Sequence, residues 1–79
     1  MKNQHLIELG SQIRAIRKEK GLSQEQLAYL AEIDRSYCGG IERGERNVSF
    51  LTLVKLAACL NCRIADLTKD IPHEQRRPN

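Results

Sequence analysis

Residues 22–44, LSQEQLAYLAEIDRSYCGGIERG, decide how this chain is read. Ser23 precedes an apolar run and Gln26 follows three residues later, the spacing of a capping box in which the serine hydroxyl accepts from a first-turn backbone N–H. Leu27, Ala28, Leu30 and Ala31 then form one side of a helix of about two turns. Asp34 is a second cap and Gly44 a stop, so the next helix is expected to run to about Arg43. Along it Ile33, Tyr37, Cys38 and Ile41 face inward, while Arg35, Ser36, Gly39, Gly40 and Arg43 fall on the opposite stripe. Two adjacent glycines inside a helix cost roughly 2 kcal/mol relative to alanine. Something must come very close to that stripe, either a partner or another helix.

Working outward, Leu6, Leu9, Ile13 and Ile16 recur at helical spacing between His5 and Lys20, with Glu8, Arg14, Arg17 and Lys18 on other faces. Gly21 ends that first helix, and Lys18 and Lys20 suit the negative end of its dipole. On the other side Ser49 caps a fourth helix that is apolar nearly all round: Leu51, Leu53, Val54, Leu56, Ala57, Ala58, Cys59 and Leu60. One face cannot hold them all, so the helix either lies centrally in the core or offers surface to a partner. Ile64, Ala65, Leu67 and Ile71 suggest a short fifth helix. The expectation is an all-α domain over residues 1–71, followed by a mobile polar tail over 72–79, PHEQRRPN.

Seventy-nine residues make one small domain, near the lower size limit for a single apolar core, and such a domain gains from oligomerisation. The most apolar segment, Leu51 to Leu60, is broken by Thr52 and Lys55 and is too short to span a bilayer. With no signal-peptide pattern at the N-terminus, a soluble cytoplasmic protein without membrane contact is expected. Thirteen Lys and Arg against ten Asp and Glu give a net charge of +3. The basic residues cluster as Arg14, Arg17, Lys18 and Lys20, then as Arg35, Arg43 and Arg46, the footprint of a phosphate backbone. Few aromatics, Tyr29, Tyr37 and Phe50, argue against stacking on single strands and favour duplex.

Two short helices about a tight turn, the second with small and polar outward residues, make a helix-turn-helix whose second helix can enter a DNA major groove. A missing side chain at Gly39 and Gly40 would let that helix backbone approach the DNA. From LGSQIRAIRKEKG through LSQEQLA, the turn, IERG and the leucine-rich helix, the chain resembles the phage-repressor-type, lambda-repressor-like helix-turn-helix family over roughly residues 9 to 68. Within it DRSYCGGIERGERNVS is similar to the restriction-modification controller proteins. The resemblance implies five α-helices, a dimer formed through the C-terminal helices, paired promoter half-sites, and no cofactor. A controller of this kind switches between activation and repression by occupying tandem sites, with RNA polymerase as a further contact. A phage or transposon repressor and an antitoxin belong to the same class.

Carried over by position, the resemblance gives Gln24 a phosphate contact and a bracing role toward the recognition helix. It aims Arg35 and Ser36 at base edges, where arginine can pair bidentately with guanine. Arg46 would reach bases from the loop, while Arg43 and Asn47 would touch backbone. Tyr37 is amphipathic, its ring inward and its hydroxyl either placed for phosphate or simply part of the core. The excess apolar surface of the last two helices makes Leu56, Leu60, Ile64 and Leu67 the candidates for the dimer interface. Two residues depart from the family pattern. Glu32 replaces a turn glycine, costing of order 1 kcal/mol if the position needs positive φ, and Cys38 replaces a branched apolar residue and fills less volume.

Other classes of function have less to stand on. Cys59 and Cys62 have C-x-x-C spacing and would centre a metal or thiol sensor. Zinc needs about four ligands, however, and only Cys38, His5 and His73 remain to complete a set, in no known spacing. The cysteines are expected to behave as small hydrophobes, with no metal bound. No nucleophile, base and orienting group occur together, so an enzyme is not expected. A pure interaction module would leave Arg35, Ser36 and the glycine pair unexplained.

Overall fold

A computed structural model of the protein describes residues 3–72. Five helices follow one another: α1 (Gln4–Glu19), α2 (Gln24–Ala31), α3 (Arg35–Glu42), α4 (Phe50–Cys59) and α5 (Ile64–Leu67), with no strand among the described residues. The tail expected from 72 onward lies, from residue 73, outside the described residues, as does His73.

The helix starts are written locally. Ser23 Oγ accepts from Gln26 N at 3.0 Å and Gln26 Oε1 accepts from Ser23 N at 2.7 Å, the reciprocal pair of a capping box. Asp34 Oδ2 accepts from Ser36 N and Tyr37 N, and Ser49 Oγ accepts from Thr52 N. At the start of α1 Asn3 does the same for His5 N and Leu6 N. The ends share one device. Gly21, Glu32, Gly44 and Asn61 each take positive φ after α1 to α4. The next residue then donates back across the last turn, as in Leu22 N to Arg17 O and Ile33 N to Ala28 O. Glu32 sits at φ 58°, ψ 42°, so the turn does require the left-handed conformation that a glycine would adopt more easily. α5 stops at Leu67 instead of reaching Ile71. Thr68 Oγ1 donates to Ile64 O, and Pro72 disfavours helical backbone at Ile71.

Leu9 and Ile13 of α1, Leu27, Ala28 and Ala31 of α2, Cys38 and Ile41 of α3, and Leu53, Leu56 and Ala57 of α4 meet in one core closed by Leu60 and Leu67. α1 and α3 approach so closely that a Cβ on Gly10 would collide with the carbonyls of Ile41 and Glu42. The helix-packing glycine is therefore Gly10, which the periodicity passes over because it lies one residue from Leu9.

Two expectations are corrected here. Leu56, Leu60 and Leu67 are fully buried within the protomer, so these three cannot form a dimer surface without leaving the core, while Ile64 is half-buried. The surplus apolar residues of α4 are Phe50, Leu51 and Val54, 66, 73 and 40 % exposed, with Leu30 of α2 at 50 %. Arg17, counted with the basic cluster expected to meet phosphate, is buried. Among the described residues no helix is long and apolar enough to cross a membrane.

Candidate nucleic-acid interface

Helix α3 is held at both ends by different means. At its N-terminus the Asp34 cap fixes the backbone of the first turn, leaving Arg35 and Ser36 exposed. Near its C-terminus Glu42 is buried against Arg17 of α1. Arg17 Nε donates to Glu42 Oε2 at 2.7 Å and Nη2 to Oε1 at 3.0 Å, a fork-on-fork pair, while Nη1 donates to Leu22 O at 2.9 Å. Gln24, the first residue of α2, donates from Nε2 to the same Glu42 Oε1 at 3.0 Å. One carboxylate thus ties together the end of α1, the start of α2 and the end of α3. The hydrogen bond to Glu42 holds the Arg17 pKa above its ordinary value against the opposing effect of desolvation.

The bracing expected of Gln24 is present in this network, and the two charges that complete it are residues the motif reading does not single out. A signal for one of them exists in the sequence. Arg17 follows Ile13 by four residues and Leu9 by eight, so it continues the buried stripe of α1, where an arginine demands a partner.

The glycine pair has a use different from open approach. Both glycines are buried beneath side chains of the same surface. A Cβ on Gly39 would stand 3.0 Å from Arg43 Nη1 and 3.1 Å from Gln24 Oε1, and one on Gly40 would stand 2.6 Å from Arg46 Cγ. The bare backbone lets Gln24, Arg43 and Arg46 lie down across α3. Arg46 also stacks over the Tyr37 ring, 5.0 Å from its centroid, and Tyr37 Oη donates to Asn47 O at 3.2 Å. With its proton committed to that carbonyl, the Tyr37 hydroxyl as placed is not offered to phosphate. It secures the loop that carries Arg46 and Asn47 instead.

Gln24, Asp34, Arg35, Ser36, Gly39 and Arg43 line one shallow concavity, and the exposed Arg46 and Asn47 stand in the loop that follows α3. Arg35 Nη1 is 3.3 Å from Glu25 Oε2, and Arg43 Nε donates to Glu45 Oε1 at 3.0 Å. Behind this surface Cys38 is buried, its thiol 3.9 Å from Gln24 O, and its pKa is pushed up to about 11, first by desolvation and then by Glu42, with Arg17 opposing. The thiol is neutral near pH 7. Cys59 and Cys62 are half-buried free thiols, each raised chiefly by desolvation. Among the described residues no group of three or more His, Cys, Asp and Glu is placed to hold a metal.

A capped, exposed helix start presented across a tight turn by a braced second helix is the architecture of a helix-turn-helix. Residues 13–67 match the helix-turn-helix family model, and the chain belongs to that family. It is similar to the control protein C.MunI of Mycoplasma sp, 42 % identical over 69 residues that cover 86 % of this chain and 93 % of that protein. Among solved structures it is similar to the restriction-modification controller protein C.AhdI from Aeromonas hydrophila, with 50 % identity, a TM-score of 0.77, and coverage of 78 % of this chain and 94 % of the other. The controller protein C.Esp1396I, solved as a tetramer in complex with its natural 35 base-pair operator, matches at 34 % identity and a TM-score of 0.77 over 86 % of this chain and 90 % of its own.

Proposed function

We propose that the protein is a dimeric, sequence-specific DNA-binding transcription regulator of the restriction-modification controller type, without catalysis, acting in the cytoplasm on a promoter. The observation that carries this reading is the asymmetry of α3: its far end is locked by the buried Arg17, Glu42 and Gln24 network while Arg35 and Ser36 are exposed at its capped start. A helix held so can bring Arg35 and Ser36 to base edges in the major groove, with Arg46 reaching from the loop and Arg43, Gln24 and Asn47 against the backbone.

One recognition helix reads too few bases to find a promoter, whereas a two-fold dimer reads two half-sites about one DNA turn apart. Phe50, Leu51 and Val54 share one side of α4 and, with Leu30, supply the apolar surface for that dimer. A dimer seated beside a promoter also presents its outer surface to RNA polymerase.

Selection of bound duplexes from a random pool tests the reading. Arg35→Ala should weaken binding to the selected operator by about 1 to 3 kcal/mol and relax preference at one base pair of each half-site. Gln24→Ala should weaken operator and unrelated duplex alike. If Arg35→Ala lowers affinity equally for every sequence and flattens the salt dependence by about one ion, Arg35 grips phosphate, and base reading passes to Ser36 and Arg46.

A further inference from the structure

Arg35 has a partner at each end. Its backbone belongs to the turn that Asp34 caps, and its head lies against Glu25, which comes from the neighbouring helix α2. The nearest approach is from Nη1 to Oε2, at 3.3 Å. A guanidinium has two edges able to make paired hydrogen bonds, and contact through Nη1 leaves the Nε and Nη2 edge for the O6 and N7 of a guanine. Arg43 is held the other way. Its Nε donates to Glu45, which occupies an atom of that same edge and suits a residue that meets phosphate.

A long side chain on a protein surface is costly to immobilise, and a contact that restricts it before DNA arrives removes part of that cost. The same tether keeps the arginine from wandering to whichever phosphate is nearest. We infer that Glu25 is a positioning residue for sequence recognition: it holds Arg35 through Nη1 and presents the remaining edge to a guanine. The inference rests on the base-reading role of Arg35 given above. It differs from a simple charge effect, because a carboxylate near DNA repels phosphates of every sequence equally.

The test is the ratio of affinities for the duplex selected from a random pool by the wild-type protein and for a scrambled duplex of the same length and composition, measured for single and double variants. Glu25→Ala should lower that ratio about fivefold, the worth of one pre-ordered long side chain. Glu25→Gln should restore part of it, since the amide oxygen can still accept from Nη1 although the charge is gone. In an Arg35→Ala background Glu25→Ala should leave the ratio unchanged. Affinities that rise together on both duplexes with a constant ratio would show Glu25 to be a repulsive charge only, and a ratio that rises would make it a competitor for Arg35. Either result overturns the inference. A wild-type ratio near one overturns the base-reading function and the inference with it, whereas a high wild-type ratio untouched by Glu25→Ala overturns the inference alone. Glu25 is exposed, so thermal unfolding of each variant should remain close to wild type.

Discussion

Replacing Arg17 by methionine keeps the length and apolar stem of the side chain but leaves Glu42 buried with Gln24 Nε2 as its remaining side-chain donor. The two side chains of the pair are 9 and 3 % exposed, in contrast to 68 and 73 % for Arg35 and Glu25, so the Glu42 carboxylate cannot recover its hydration in place. Breaking a buried pair by removing one partner costs about 3 to 5 kcal/mol. A chain of this length has a total stability of about 4 to 12 kcal/mol. Arg17→Met should therefore lower Tm by at least about 12 °C and shift the urea midpoint in proportion. The double variant Arg17→Met with Glu42→Leu removes both charges and leaves only the Gln24 donor and the Leu22 carbonyl to find water or other partners. It should return to within about 2 kcal/mol of wild type. Urea unfolding of the four proteins at one fixed concentration, followed by far-UV circular dichroism, closes the cycle with a coupling energy of at least about 3 kcal/mol. A cost below about 1 kcal/mol for Arg17→Met would place the pair among solvated surface pairs and refute the bracing of α3.

Further outcomes follow from other parts of the molecule. Gly40→Ala puts a Cβ 2.6 Å from Arg46 Cγ and must displace that side chain from the Tyr37 ring, so operator affinity should fall in a binding assay; equal affinity would detach Arg46 from DNA. Glu32→Gly relieves the left-handed position after α2 and should raise the urea midpoint by about 0.5 to 1 kcal/mol in stability, an unchanged or lower midpoint counting against strain there. Because the Cys38 pKa is raised above its ordinary 9.0 to about 11, the folded state favours the neutral thiol. The benefit is complete below pH 9 and is lost as pH rises through 11, so wild type should lose stability relative to Cys38→Val over that interval in pH-stepped urea titrations. Leu51→Glu should shift sedimentation toward monomer and leave the circular dichroism spectrum intact, while Leu60→Glu, at a fully buried position, should unfold the protein; a Leu51→Glu dimer would move the interface elsewhere.

The helix succession was legible because each start and stop is a local event: Ser23, Asp34 and Ser49 bind backbone within three residues, and the stops at Gly21 and Gly44 depend on one residue's φ. The left-handed demand at Glu32 could be read for the same reason. What could not be read is set by distances along the chain. Arg17 and Glu42 are 25 residues apart, and nothing in either helix alone says that they meet. The three buried leucines assigned to a dimer have a related origin. α4 carries more apolar residues than one face needs, and only the positions of α1, α2 and α5 decide that Leu56 and Leu60 turn inward while Phe50 and Leu51 turn out. The glycines were read as room for DNA or for another helix, whereas what lies over them is the side chains of Gln24, Arg43 and Arg46, which no periodicity reports.

The separation between the two ends of α3 bears on how such a protein acquires a new target. Residues 35 and 36 are exposed, and the Asp34 cap bonds to backbone N–H groups that exist whatever side chains follow. The anchorage lies a full helix away at Glu42. Substitutions at 35 and 36 can therefore drift or be randomised with little effect on folding, because surface changes away from caps and buried networks usually move stability by no more than about 0.5 kcal/mol. If residues 35 and 36 read bases as proposed, one scaffold can be re-addressed to different promoters by changes at a few positions, and the viable sequences should form a connected path along which recognition changes before stability does.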